Sequence, residues 1–76
     1  MYHKDIFCLR VKLLRKQHHE QQKDLAEAIG MSQTAMSDIE NGRKTTTFEK
    51  LALICRHYQV SADYLLGLID EPRALE

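Results

Sequence analysis

The sequence predicts an all-helical domain, and three features carry that prediction. Glycine and proline are scarce, with three and one in 76 residues. Runs of alternating β-branched residues are missing, so nothing reads as a strand. Apolar residues recur instead at spacings of three and four, as on one face of a helix. A chain of this length makes one domain with a modest core that folds without disulfide or metal staples. Residues 1–70 are expected to form that domain and residues 71–76 a short, loose C-terminal tail starting around Pro72.

Five helices follow in order. Residues 5–18, DIFCLRVKLLRKQH, place Ile6, Leu9 and Leu13 beside Val11 and Leu14 on a broad apolar stripe. Residues 22–29, QKDLAEAI, put Leu25 and Ile29 on one face, with Ala26 small enough to admit a close neighbour. Gly30 suits the residue past a helix end, where positive φ is needed. Met31 reads as a buried turn residue and Ser32 as the N-cap of a third helix, residues 33–40. That helix sends Met36 and Ile39 to one side and Gln33, Thr34, Ser37 and Asp38 to the other. Asn41 and Gly42 both tolerate left-handed geometry and end it.

After the polar loop RKTTT, either Thr46 or Thr47 caps a fourth helix, residues 48–58. The Thr46 choice forms a capping box with Glu49. Phe48, Leu51, Ala52, Cys55 and Tyr58 mark its expected face, and Val60 fills the next turn. Ser61 caps a fifth helix, ADYLLGLI, with Asp63 in its first turn.

Composition excludes several classes. Eleven basic and eleven acidic residues give a net charge of zero, which argues against a strongly basic nucleic-acid binder. The placement is mildly uneven: eight Lys/Arg face six Asp/Glu in residues 1–44, against three and five in residues 45–76. No apolar run reaches membrane-span length and no signal peptide is visible, so the expectation is a cytoplasmic protein. Cys8 and Cys55 read as small buried residues rather than a redox pair. The histidines lack ligand spacing, no cofactor is implied, and no nucleophile, base and pocket are arranged for an enzyme.

The third helix is too short to stand alone, yet its outer face carries amides, hydroxyls and a carboxylate. It starts three residues after the second helix ends, and the joint holds a glycine. That is the helix-turn-helix pattern. A planar amide such as that of Gln33 can bond adenine at both N6 and N7. Thr34 offers a methyl to thymine and a hydroxyl to any base. Asp38 can accept from cytosine N4, or repel phosphates at wrong sites.

The motifs Gln22, LA at 25–26, IG at 29–30, Ser32, IENG at 39–42 and VSADYLLG at 60–67 together resemble the lambda-repressor/Cro-like (XRE) helix-turn-helix domains of bacteria and phages. The likeness runs from about residue 6 to residue 69. It implies a five-helix fold and binding of double-stranded DNA, usually for transcriptional repression, with no catalytic residues. By the same resemblance, Gln22 meets a phosphate, while Gln33, Thr34 and Asp38 read bases with Ser32 and Ser37 close by. Asn41, Arg43 and Lys44 form the backbone-contacting loop, and Arg15 pairs with Glu40. The sequence departs from the family at QHHEQ, residues 17–21. His19, Glu20 and Gln21 stand where the family has glycine or asparagine, an apolar residue and a capping residue. A looser first turn and an altered Gln22 are expected there.

The expected protein is a repressor binding a pseudo-palindrome as a homodimer, with recognition helices roughly 34 Å apart. Any switch then comes from outside the domain, for instance a protein antagonist. The run YLLGLI holds more large aliphatics than the core absorbs. Leu68 and Ile69, with Tyr64 or Tyr58, are therefore expected on the dimer surface; the alternative is that they close the core. The other reading is an antitoxin-like module whose main partner is a protein.

Overall fold

The computed structural model describes residues 4–75. Five helices are present among them: α1 (Lys4–Gln17), α2 (Gln22–Ala28), α3 (Gln33–Glu40), α4 (Phe48–Tyr58) and α5 (Ala62–Leu65). Together they enclose one core of Phe7, Val11, Leu14, Leu25, Ile29, Met36, Ile39, Ile54, Leu65 and their neighbours. Both cysteines are buried in it as free thiols, as expected, and burial raises both thiol pKa values. No helix among the described residues is long and apolar enough to cross a membrane.

Local signals explain most boundaries. Ser32, Thr47 and Ser61 each accept a backbone N–H from three residues ahead, satisfying one of the donors a helix start leaves free. Of the two threonines, Thr47 is the cap; the residue three further on is then Lys50 rather than Glu49, so no capping box forms. At the end of α3, Asn41 stays near φ −90° and Gly42 alone turns left-handed, at φ +77°. The Gly42 N–H then reaches the Ile39 carbonyl and the Arg43 N–H the Asp38 carbonyl, a Schellman ending that satisfies two orphan carbonyls.

Four expectations are corrected. In α1 the buried residues are Phe7, Cys8, Val11 and Leu14, while Leu9 and Leu13 stand 55% and 41% exposed. This helix is apolar on two sides, and the stripe containing Phe7 faces the core. In α4 the seam runs through Leu51, Ile54, Cys55 and Tyr58, at i, i+3, i+4 and i+7. Ile54 is fully buried, whereas Phe48, in the first turn, projects past the core and is 90% exposed. Helix α5 stops at Leu65 rather than Ile69, because Gly67 at φ +80° closes it in the same way as Gly42 closes α3. A side chain at Gly67 would also press on Ile6, 3.1 Å away.

The fourth correction concerns the tail, which is not loose up to Leu75. Ser61 N–H donates to the Arg73 carbonyl at 2.7 Å and Leu75 N–H to the Gln59 carbonyl at 3.3 Å. Val60 and Ala74 thus pair as an isolated antiparallel bridge. Glu76 lies outside the described residues.

Two long cationic side chains lock the assembly. The Arg10 guanidinium donates to the carbonyls of Tyr64 and Ile69 and lies over the Tyr64 ring, 4.3 Å from its centroid. Lys50 Nζ donates to the carbonyls of Ile29 and Gly30 at 3.0 and 3.1 Å. A cation there complements the C-terminal end of α2, and it fixes α4 against the turn that precedes α3.

Candidate nucleic-acid interface

The α2–α3 unit starts from a small interface. Leu25 and Ala26 of α2 and Met36 and Ile39 of α3 are all buried. Between the helices Gly30 adopts φ +73°, so that the Met31 N–H can return to the Ala26 carbonyl at 2.9 Å. Met31 is half-buried against the core. With the apolar side of α3 committed inward, its polar side faces out. Gln33 and Thr34 are exposed, and Ser37 and Asp38 are half-buried.

These residues share a shallow, open concavity lined by Gln22, Gln33, Thr34, Ser37, Asp38 and Arg43. Six of the nine residues singled out from the sequence therefore meet in one place. Of the other three, Ser32 is exposed beside them with its hydroxyl occupied as the α3 cap. Asn41 donates to the Ser37 hydroxyl at 3.1 Å, which orients that hydroxyl. Lys44 is 72% exposed at its side chain, with Nζ 3.8 Å from Asp38.

Asp38 organises the rim. Its carboxylate lies 3.4 Å from Arg43 and accepts from it, and its backbone carbonyl receives the N–H groups of Arg43 and Lys44. Both cations keep most of their side chains in water. Exposed pairs of this kind are weak, about 0–1 kcal/mol, so an incoming anion can take Arg43 and Lys44 from Asp38 at little cost. Cys8 Sγ, from α1, lies 3.7 Å from the Lys44 carbonyl and anchors the loop beneath.

Behind the concavity lies the Arg15–Glu40 pair. Arg15 Nε donates to Glu40 Oε2 at 2.7 Å and a second guanidinium nitrogen donates to Oε1 at 2.9 Å. The Glu40 side chain is 2% exposed and that of Arg15 14%. The bond to the carboxylate raises the Arg15 pKa further above its ordinary value, so the guanidinium stays charged. The Gln22 amide reaches Glu40 Oε1 at 3.4 Å. One buried carboxylate at the end of α3 thereby holds both α1 and the start of α2.

The departure at residues 17–21 proves ordered. His19 takes φ +53° at the position where left-handed geometry is required. Gln21 begins α2 without a side-chain cap bond. Glu20 does not project loosely: its carboxylate receives the Tyr58 hydroxyl at 2.6 Å and lies 2.7 Å from His57 Nε2. Burial pushes the Glu20 pKa up, but the bonds from Tyr58 and His57 outweigh it and hold the carboxyl below its ordinary range. Burial and the same carboxylate push the Tyr58 phenol well up. Sequence reasoning missed this cluster because its members are 37 and 38 residues apart. Tyr58 is only 6% exposed, which removes it from the surface proposed for dimer contact.

A short helix, a glycine-closed turn and a second helix with a polar outer face, braced by α1, α4 and α5, define a helix-turn-helix domain. The chain belongs to the helix-turn-helix family, whose profile matches residues 11–65, and within it resembles the lambda-repressor/Cro-like members. It is 39% identical over 67 residues to the uncharacterized HTH-type transcriptional regulator YobD of Bacillus subtilis, covering 88% of this chain and 60% of that protein. It is 33% identical over 57 residues to the antitoxin PezA of Streptococcus pneumoniae, covering 75% of this chain and 36% of that one. The chain thus spans less than two thirds of these relatives. Among solved structures it superposes on the P22 c2 repressor in complex with a synthetic operator, with a TM-score of 0.75 and 30% identity, over 79% of this chain and 91% of the repressor.

Proposed function

We propose that the chain is a sequence-specific DNA-binding transcriptional regulator, a repressor acting in the cytoplasm as a homodimer on a pseudo-palindromic operator. The observation that carries this reading is the concavity at α2–α3, which gathers Gln22, Gln33, Thr34, Ser37, Asp38 and Arg43. Gln33 and Thr34 present donors, acceptors and a methyl to base edges in the major groove. Gln22, Asn41, Arg43 and Lys44 take phosphates, with Ser32 at the rim, and set the register. One domain of this size covers little DNA, and a symmetric pair of copies doubles the contact. Leu68, 50% exposed, together with the half-buried Tyr64 and Ile69, is the surface proposed for that pairing. Selection of bound DNA from a random pool tests the reading. An inverted repeat with half-sites one helical turn apart is expected; recovery of unenriched sequence contradicts it.

Two observations favour a second reading, an antitoxin-like module with a protein partner. The exposed Phe48 borders an apolar groove lined by Phe7, Leu51 and Leu66, and PezA is among the relatives. Co-purification of a second chain from the native host, lost in Phe48→Lys, is its test.

A further inference from the structure

Glu20 joins two polar systems through its side chain and its backbone. Its side chain is bonded by Tyr58 and His57, at the C-terminal end of α4. Its backbone carbonyl accepts from Arg15 at 2.8 Å, and its N–H returns to the Arg15 carbonyl at 3.1 Å. The same guanidinium grips Glu40, the last residue of α3, and Glu40 receives the Gln22 amide. A continuous path therefore runs from α4 through Glu20 and Arg15 to Glu40 and Gln22. It ends on the helix assigned to base reading and on the side chain assigned to phosphate.

We infer that Glu20 is a positioning residue for DNA recognition, holding the α1–α2 turn and the Arg15 guanidinium in the geometry that sets Gln22 and α3 against the groove. This rests on the DNA-binding reading above. An apolar residue fills space at that turn, but it cannot receive a hydroxyl and an imidazole, and so cannot tie the turn to α4. The link matters at this turn because Gln21 supplies no cap to α2 and His19 is held in a conformation that few residues adopt. Other charged or titratable groups surround the cluster. His18 packs on the Tyr58 ring at 4.9 Å, and His19 and Asp24 line the same cleft. None of them bonds the Glu20 carboxylate.

The test separates positioning from packing. Glu20→Leu combined with Tyr58→Phe replaces the bonded pair by apolar groups and leaves no hydroxyl stranded, so stability is kept. Affinity is measured for the selected operator and for unrelated DNA. The inference expects operator binding to weaken about twofold to thirtyfold, the scale on which mutations along a coupled network act, and binding to unrelated DNA to weaken less, by no more than the loss of the Gln22 phosphate contact. Glu20→Gln, which still accepts from the Tyr58 hydroxyl, is expected to recover most of the loss. Equal weakening on both DNAs, or none on either, overturns the inference. If the double variant does not fold, Tyr58→Phe alone, which removes the hydroxyl bond to α4 while Glu20 keeps His57, is put through the same comparison and judged the same way. A wild-type chain that selects no DNA sequence overturns the DNA-binding reading and this inference together; a wild-type chain that selects an operator while the variant keeps full specificity overturns this inference alone.

Discussion

Glu40→Ala is expected to remove a large part of the stability of this domain. The Glu40 carboxylate is 2% exposed and takes two guanidinium bonds, at 2.7 and 2.9 Å. Its loss leaves Arg15, 14% exposed, as a buried charge bonded only to the Glu20 carbonyl. Breaking a buried pair from one side costs about 3–5 kcal/mol, against about 0–1 for an exposed pair, and the burial places this pair in the first regime. A domain of this length is stable by roughly 4–11 kcal/mol in total. The melting temperature is thus expected to fall by about 10–40 °C. Arg15→Ala should cost a similar amount, and replacing both partners by Met and Leu should be close to neutral or stabilising. Urea denaturation of the single and double alanine variants gives the coupling energy directly. Strictly additive losses, or a cost below about 1 kcal/mol for either single change, would refute the reasoning.

Three further outcomes are expected. Arg43→Ala and Lys44→Ala should each weaken binding to all DNA alike and reduce the slope of log K against log salt by about 0.9; an unaltered slope with changed sequence preference contradicts the phosphate assignment. Leu68→Lys should stay folded, sediment as a monomer and lose cooperative operator binding, whereas unfolding or persistence of the dimer would place Leu68 elsewhere. Glu20, whose folded pKa lies below its unfolded value, contributes stability that is present above the ordinary carboxylate range, about 4.3, and is lost as pH falls through the lowered value. Glu20→Gln should therefore flatten the acid limb of stability measured by urea titration at pH 7 and stepwise below 5, and parallel curves for the two proteins contradict this.

What was legible in the sequence was mostly local. Ser32, Ser61, Gly30 and Gly42 mark helix ends through bonds that span only a few residues, and each was read correctly. So was the polar side of α3, because Met36 and Ile39 fix which way that short helix turns. In α1 the expected stripe is half right: Val11 and Leu14 are buried, but Leu9 and Leu13, which repeat as regularly, are exposed while Phe7 and Cys8 face the core; only packing decides between the two stripes. Phe48 was placed in the core by its type, although the first turn of α4 overhangs it. The anchors that hold the site in place were not legible. Lys50 bonds carbonyls 20 and 21 residues away, Arg10 reaches across 54 and 59 residues, and Glu20 meets Tyr58 across 38. Backbone carbonyls carry no sequence signature, and a carboxylate at an unusual position does not name its partner.

The central claim, that the outer face of α3 reads base pairs, is tested most directly by the affinity and footprint of Gln33→Ala on the selected operator. The account predicts a loss of roughly 1–3 kcal/mol, with relaxed preference at one base position in each half-site. An unchanged affinity with the same footprint and the same preference would show that Gln33 is not a reader, and the reading face would have to be sought elsewhere on the domain.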